Sequence, residues 1–340
     1  MYACIVAGIL ALVFAVPLAL VSLPPRLLAW PWWADAAWWL ASPLLYVTLY
    51  VLVAGLLSRP FQKAIVPGRF PRDLGNPLYR ARRLYGLCWT AVYYFTPLYF
   101  VCLSLPPLKR LLFRLFGYRG TMKFTVYPDT WIRDLPLLEF GEGAYVSNRA
   151  TIGTNVARAD GTLQVDRIRI GPRALVGHLS MVAFGTVLEE GAEVGVGCAV
   201  GSRCTLKKGA ELAPCCAMGH LAELGEGASV SFMSWVGAGS VVGPGVRMPP
   251  LTQIPNRAKI RDQAAADALL SSALGTLPAL AARLSPHLVP AAAVPAVAVA
   301  DGGAPPSGAA PAASRPPEAP RPGAADASGA RPAERWNAFE

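Results

Sequence analysis

The sequence is poor in charge and in histidine. Lys, Arg, Asp and Glu make up 15% of its 340 residues, against about 25% in an average soluble domain. Hydrophobic residues make up 54%, which excludes an ordinary soluble single domain. Histidine occurs three times, at His178, His220 and His287. The seven cysteines are odd in number and favour reduced thiols in a cytoplasmic setting over a disulfide framework.

Long apolar runs lie before residue 108. Residues 1–23 and residues 36–57 carry no charge, and each spans about 33 Å as a helix, enough for a bilayer core. We predict a transmembrane helical hairpin over residues 1–58, with the tryptophans between Trp30 and Trp39 at the membrane interface. A cleaved signal peptide is the alternative for the first run, although a basic start and a small-residue cleavage site are missing.

A basic segment follows over residues 59–123. It holds twelve Lys or Arg and one acidic residue, Asp73, which next to apolar spans indicates a membrane surface rather than nucleic acid. The positive-inside rule predicts a bacterial inner (cytoplasmic) membrane protein whose later domain faces the cytoplasm. Residues 84–107 are apolar but basic on both flanks, which favours a re-entrant or interfacial helix. A third span is the alternative, and it would move the rest of the chain out of the cytoplasm.

An apolar residue recurs every sixth position from Phe140 onward. The fourth residue after it is small, and glycine usually follows it directly, where a tight corner needs backbone freedom. Three short strands and three corners use eighteen residues per coil, which predicts a left-handed parallel β-helix of mainly β class over residues 124–250. The apolar positions are Phe140, Val146, Ile152, Ile170, Val176, Val182, Leu188, Val194, Val200, Leu206, Leu212, Met218, Leu224, Val230, Val236, Val242 and Met248.

The repeat is interrupted once, and two segments of different composition follow it. Ile152 and Ile170 are eighteen residues apart, one coil length, but Arg158 and Gln164 replace the apolar residues between them. We therefore predict that residues 157–167 leave the helix. Residues 251–284 are predicted to form a C-terminal helical cap over its open end. The Ala- and Pro-rich residues 285–340 are predicted to be a disordered tail.

The hexads, the basic segment and the terminal helix together resemble the hexapeptide-repeat acyltransferase superfamily. The resemblance implies transfer of an acetyl or other acyl group from coenzyme A or acyl carrier protein to a hydroxyl or amine. It also implies a homotrimer with active sites between the β-helices. Membrane lipids and a carrier-bound or lipid-linked substrate are the other expected partners.

A closer resemblance connects residues 40–250 with the membrane-embedded C-terminal region of nonribosomal-peptide-synthetase-like proteins of the poly-lysine synthetase type. It rests on LGNPLYRARRLYG (74–86), LFRLFGYRG (112–120) and TIGTNVARADGTLQVDRIRIG (151–171). The last segment matches that family's D-G and D-R-I-x-I-G pattern at Asp160, Gly161 and 166–171. The family often has a histidine just before D-G, whereas this chain has Thr154 to Arg158 there.

Acyl transfer to a hydroxyl needs a base, and the superfamily usually employs a histidine. His178 and His220 both occupy the third hexad position, beside a corner and pointing outward. They are 42 residues apart, two coils and one hexad, so they lie on different corners about 10 Å apart along the axis and form no dyad. We favour His178, because Asp160, eighteen residues earlier, is expected one coil below it. Asp160 or Asp166 would then orient the imidazole.

Further residues are assigned to binding. Asn148, Arg149 and Asn155 lie near the excursion and are candidates for the acceptor, although turn geometry explains asparagine at corners equally well. Arg203, Lys207 and Lys208 are candidates for coenzyme A phosphates, with a solvated surface as the alternative. Metal binding of the carbonic-anhydrase type needs three converging histidines, so no metal is expected. Cys198, Cys204 and Cys216 take inward positions and are expected to fill the core.

The predicted function is a membrane-anchored acyltransferase with a histidine general base and an acetyl-CoA, acyl-CoA or acyl carrier protein donor. One alternative is a noncatalytic trimeric binding or assembly module. The other is a transfer module acting on carrier-protein-bound intermediates of a nonribosomal peptide pathway.

Overall fold

The computed structural model describes residues 2–28 and 30–269. The predicted tail, the cap beyond residue 269 and His287 lie outside the described residues.

Five helices precede the β-helix. Two of them, α1 and α2, are long and apolar enough to cross a membrane. The next two, α3 and α4, are bent by 82° to each other, so the apolar segment 84–107 is kinked; whether it is re-entrant, interfacial or a third span stays a prediction. Pro97 in the first turn of α4 is compatible with a helix start and not with a continuing helix. The bounds are α1 Tyr2–Leu27, α2 Trp32–Gln62, α3 Pro77–Tyr93, α4 Thr96–Ser104 and α5 Pro106–Leu115.

Three parallel seven-stranded sheets form the β-helix, and the predicted left-handed β-helix is confirmed. Sheet 1 has the order β2-β5-β10-β13-β16-β19-β22, sheet 2 β3-β6-β11-β14-β17-β20-β23, and sheet 3 β4-β9-β12-β15-β18-β21-β24. One strand from each sheet makes a coil, and coils 1 to 7 are numbered along the chain. The bounds are β1 Gly68–Pro71, β2 Thr125–Val126, β3 Trp131–Ile132, β4 Leu138–Phe140, β5 Tyr145–Val146, β6 Thr151–Gly153, β7 Asn155–Ala157, β8 Thr162–Val165, β9 Ile168–Ile170, β10 Leu175–Val176, β11 Met181–Ala183, β12 Val187–Leu188, β13 Glu193–Val194, β14 Ala199–Val200, β15 Thr205–Leu206, β16 Glu211–Leu212, β17 Ala217–Met218, β18 Glu223–Leu224, β19 Ser229–Val230, β20 Trp235–Val236, β21 Val241–Val242, β22 Arg247–Met248, β23 Gln253–Ile254 and β24 Lys259–Ile260.

The core lies inside the prism. The hexad residues on its axis, such as Val176 and Leu188, are buried, as are the small residues that follow them by four, such as Ser180 and Ala192. Where coils approach closely, glycine is required: a Cβ on Gly177 would lie 2.6 Å from the backbone of Gly195. The sheets continue past residue 250 to Ile260, and residues 263–269 are helical.

The excursion is a hairpin of β7 and β8 that pairs with β1 in a small antiparallel sheet. The hairpin lies in the gap between Ile152 and Ile170, and the residues of this gap do not form a complete coil. Ile152 lies in β6 of sheet 2 and Ile170 in β9 of sheet 3, so both belong to coil 2, with twelve extra residues inserted at one corner. As a result Val146 pairs with Val176, thirty residues later, instead of eighteen.

A buried ion pair joins the helices to coil 1. The guanidinium of Arg82 in α3 donates to the carboxylate of Asp134, and both side chains are at least 98% buried. Thr154 Oγ1 donates to the same carboxylate oxygen at 2.5 Å. Trp89 Nε1 in α3 donates to the Ile132 carbonyl at 2.8 Å, next to the ion pair. The N-terminal helices and the β-helix therefore share a junction that contains both the buried ion pair and apolar side chains.

Candidate active site

His178 lies on the corner between β10 and β11, in coil 3. We call the row of such corners, which joins sheet 1 to sheet 2, edge 1–2. The imidazole is half-buried and has no hydrogen-bond or ion-pair partner among the described residues. The corner itself is held by the backbone, since the Leu179 N–H donates to Asn148 O at 3.2 Å and the Gly197 N–H to His178 O at 2.8 Å. The side chain is thus free to accept a proton from a ligand.

The backbone amide of His178 differs from two of the corner amides on the next edge, although the His220 amide there is also without an acceptor among the described residues. On edge 2–3, between sheets 2 and 3, the amides of Ser202 and Ala238 are covered by a side chain from the coil above, His220 Nδ1 at 2.9 Å and Asn256 Oδ1 at 2.8 Å. On edge 1–2 the residue above His178 is Val196, whose side chain has no hydrogen-bond acceptor. The His178 N–H accordingly has no acceptor among residues 2–28 and 30–269. An open N–H beside an open imidazole is an arrangement suited to a developing oxyanion.

His220 has a structural contact instead. It lies on edge 2–3 in coil 5, where its Nδ1 accepts from the Ser202 N–H and is 3.0 Å from Ser202 Oγ. A neutral imidazole that accepts at Nδ1 carries its proton on Nε2. The nitrogen that faces solvent is therefore a donor, which suits a corner cap better than a general base.

The two carboxylates lie apart from His178. The residue one coil below it is Asn148, because the inserted hairpin shifts the register, and the expectation that Asp160 lies there is wrong. Asp160 lies in the hairpin turn and binds Thr162 and Arg69. The Thr162 hydroxyl and N–H, followed by Arg69, lower the pKa of Asp160 to about 2. It is held in the hairpin as a carboxylate.

Asp166 pairs with Arg203 at 3.3 Å, beside a cavity of about 330 Å³ between β1 and β8. Lys207 binds Glu223 at 2.6 Å, and Lys208 lies 3.5 Å from Glu190. None of these three cations is on edge 1–2. The structure therefore does not bring the predicted phosphate-binding residues to His178 within one chain.

The predicted acceptor residues separate into two groups. Asn148 lies directly below His178 on edge 1–2, and Arg149 follows it, 69% exposed and 3.9 Å from Asp129. Asn155 lies at the start of the hairpin, where its Nδ2 is 3.4 Å from Asp134 Oδ2. Asn148 and Arg149 thus belong with His178, while Asn155 belongs with the buried ion pair.

The cysteines at inward positions are buried. Burial raises the pKa of the Cys198 and Cys204 thiols to about 11 and raises that of Cys216 as well. At neutral pH these groups are protonated and enclosed, so they fill the core and are poor nucleophiles.

An exposed apolar surface, not detected in the sequence, runs beside His178. We define the apolar face as the outward side of sheet 2 with edge 1–2 from coil 3 to coil 7. Sheet 2 presents no charge at its registered outward positions, whereas sheet 1 presents Glu193 and Glu211 and sheet 3 presents Arg169 and Glu223. The large exposed residues of the face are Leu179, Met181, Val196, Phe232, Met233, Trp235 and Leu251. The six-residue period of the sequence identifies the inward positions. Outward residues can be assigned to a common face only when the pairing register of the strands is known.

Three large residues of the apolar face have left-handed backbone conformations, as does Leu221 on edge 2–3. Leu179, Met233 and Leu251 adopt φ of 58°, 54° and 60°, a region where bulky residues are costly. The matching positions between sheets 3 and 1 are mostly glycine, such as Gly191 and Gly209. Edge 1–2 therefore presents large apolar side chains at positions where glycine would be free of strain.

Among the described residues, no three His, Cys, Asp or Glu side chains converge as metal ligands.

Comparison with known proteins gives structural neighbours only. No family model and no curated protein matches the sequence. UDP-N-acetylglucosamine acyltransferase from Campylobacter jejuni is 14% identical, with 50% of this chain and 91% of that chain covered and a TM-score of 0.23. AntD, an N-acyltransferase from Bacillus cereus in complex with dTDP and 3-hydroxybutyryl-CoA, is 9% identical, with 48% and 94% covered and a TM-score of 0.21. The acetyltransferase domain of PglB from Neisseria gonorrhoeae, in complex with acetyl coenzyme A, is 15% identical, with 45% and 60% covered and a TM-score of 0.16.

At such identities and TM-scores, the assignment of fold rests on the strand register and that of the site on its geometry. The resemblance to nonribosomal-peptide-synthetase-like proteins finds no support in these matches and stays a prediction.

Proposed function

We propose that the protein transfers an acyl group from an acyl thioester, acyl-CoA or acyl carrier protein, to a hydroxyl or amine at edge 1–2, with His178 as general base. The observation that carries the proposal is the open imidazole of His178 beside its own open amide, directly above Asn148. Acyl transfer needs a base that takes the proton of the acceptor and an N–H donor that stabilises the oxyanion, and an unpaired imidazole next to an unpaired amide can supply both.

His178 takes the proton from the acceptor hydroxyl or amine as that group attacks the thioester carbonyl. The His178 N–H donates to the carbonyl oxygen as negative charge develops on it. When the carbon–sulfur bond breaks, His178 returns the proton to the leaving thiolate. Asn148 is placed to orient the acceptor by hydrogen bonds from the coil below.

The test is release of free thiol by the detergent-purified full chain. Acetyl-CoA is offered with pooled hydroxyl and amine compounds extracted from cells, and an acylated carrier protein is offered in parallel. Turnover with either donor supports the proposal and identifies the donor class. A folded protein that turns over neither donor overturns it.

We further propose that the chain assembles as a homotrimer through the apolar face, which would place His178 at an interface between chains. Met233→Asp puts a charge into the face and is expected to convert trimer to monomer, because a desolvated carboxylate opposes association. The measurement is mass by light scattering in detergent. Leu221→Asp is the matched control, since Leu221 has a similar exposure (62% against 60%) and φ (60° against 54°) but lies on edge 2–3. A monomeric wild type, or equal effects of both variants, would contradict the assignment.

The β-helix is proposed to face the cytoplasm, since basic residues such as Arg59 and Lys63 lie at the end of α2 and the positive-inside rule places them there. We expect Glu226→Cys, on an exposed corner, to react with a membrane-impermeant maleimide only after spheroplasts are permeabilised. The background carries Cys4→Ser and Cys215→Ser, which removes the two exposed thiols. Reaction in intact spheroplasts would place the β-helix outside the cytoplasm.

A second function, a noncatalytic assembly module, is favoured by one observation. All three predicted phosphate-binding cations are paired with carboxylates and lie off edge 1–2. This alternative predicts a trimer without thioester turnover, so the two measurements above separate it from an acyltransferase.

A further inference from the structure

An apolar cleft of about 400 Å³ opens between the first and third helices. α1 contributes one wall and α3 the other, and the bend between α3 and α4 closes one end. No charged residue lines it. The lining residues are Leu10, Phe14, Leu87, Thr90, Ala91, Tyr94 and Phe95, and the Thr90 hydroxyl donates to the Leu87 carbonyl at 3.2 Å.

Phe14 and Phe95, which line the cleft, pack against the buried Tyr50 in an aromatic cluster. The Tyr50 ring packs edge-on against the rings of Phe14 and Phe95, with centroid distances of 5.3 Å and 5.7 Å. Its hydroxyl donates to the Ala91 carbonyl at 3.2 Å. The hydroxyls of Tyr50 and Thr90 are therefore both satisfied by helix carbonyls, which leaves a mainly apolar surface suited to hydrocarbon.

The cleft is continuous with the β-helix. Trp131, in coil 1, points outward from sheet 2. Its ring packs against those of Tyr93 and Tyr94, with centroid distances of 4.9 Å and 6.0 Å. Tyr94 in turn lines the cleft. Thr151 and Met181 lie above Trp131 on coils 2 and 3, so the path from the cleft along sheet 2 carries no charge.

The path ends beside the proposed base. His178 lies in coil 3, two coil spacings or about 10 Å above the first coil. That height suits the polar head of a lipid whose chain stays at the level of α1 and α3. His220 lies in coil 5, about 19 Å above the first coil and on another edge.

We propose that the acceptor is a membrane lipid, whose hydrocarbon chain occupies this cleft while its head, bearing the hydroxyl or amine, extends along sheet 2 to His178. The proposal rests on the proposed function and specifies its substrate class. The cleft has α1, a helix long and apolar enough for a bilayer, as one wall, is lined without charge, and connects through Tyr94 and Trp131 to the sheet beside His178. Those three features favour a lipid chain over a water-soluble acceptor.

The first experiment compares acceptors. Thiol release from acetyl-CoA or acyl carrier protein is measured with the chloroform-soluble and the water-soluble extract of the same cells. Turnover is expected with the lipid extract. Ala91→Trp fills the cleft and is expected to lower kcat/KM for the lipid extract at least tenfold, and Leu87→Trp gives the same test at a second site. Ala41→Trp, an identical exchange on the exposed side of α2, is the control and is expected to stay within twofold.

The second experiment does not require turnover. A phosphatidylethanolamine with a diazirine on its acyl chain is photolysed with the full chain in micelles. Cross-links are expected to concentrate on residues 87–95 in wild type and His178→Ala, and to fall in Ala91→Trp. Specific cross-links without turnover would mean that the proposed function fails while lipid binding stands.

Four results overturn the lipid assignment while leaving acyl transfer intact. They are turnover with the water-soluble extract alone, cross-links spread evenly over α1 and α2, specific cross-links with kcat/KM unchanged in both cleft variants, and loss of the trimer in Ala91→Trp. The last result would mean that a second copy of the chain covers the cleft.

Discussion

Replacing His178 by alanine is expected to lower kcat for acyl transfer by about 10²- to 10⁴-fold, the usual contribution of a positioned general base. KM for the thioester should change little, because the imidazole transfers protons during the reaction and is not assigned to binding the donor. The measurement is steady-state thiol release, with the elution volume and thermal unfolding of the variant checked against wild type. The side chain makes no hydrogen bond among the described residues, so its removal leaves the fold nearly unchanged.

His220→Ala is the matched control. Because His220 Nδ1 caps the Ser202 amide, the variant is expected to lose about 0.5–1.5 kcal/mol of stability and to keep its turnover within about threefold. The reverse pattern, with activity lost in His220→Ala and kept in His178→Ala, would move the site to edge 2–3. Loss in both without loss of folding would show that the two edges meet between protomers.

Asp134→Asn is expected to lower the free energy of unfolding by about 3–5 kcal/mol, the usual effect of removing one partner of a buried ion pair. Arg82 would keep its charge while 98% buried, and Arg133, whose Nε is 3.7 Å from the carboxylate, would lose its counter-charge too. Asparagine tolerates the left-handed conformation of this residue, φ 57°, so backbone strain does not explain the loss. Thermal and denaturant unfolding in detergent measure it.

The exposed pair of Arg69 and Asp160 provides the comparison. Their side chains are 54% and 44% exposed, so Asp160→Asn is expected to leave the unfolding transition and the turnover nearly unchanged. The double variant Arg82→Met/Asp134→Asn should recover part of the loss, since the fully buried charge of Arg82 is removed and only the 26% exposed Arg133 stays unpaired. Equal losses in Asp134→Asn and Asp160→Asn would mean that the junction between helices and β-helix does not depend on the buried pair.

The gap between Ile152 and Ile170 shows where sequence reasoning reached its limit. Its length equals one coil, so counting alone allowed either a complete coil or an insertion. The pairing of Val146 with Val176 identifies an insertion within coil 2. The twelve inserted residues shift the register of every position before the gap relative to those after it. The residue one coil below His178 is therefore Asn148 and not Asp160.

The sequence by itself determined the β-helix, the two apolar helices and the placement of His178 and His220 at outward corners. Hexad period and apolar run length are local properties of the chain, and they depend only on backbone geometry and the burial of every sixth side chain. Tertiary structure alone decided which imidazole is open, which carboxylates are already paired, and that sheet 2 presents an uncharged face leading to the cleft at Tyr94. These are contacts between residues 16 to 91 positions apart, and a repeat that tolerates any outward side chain places no constraint on them.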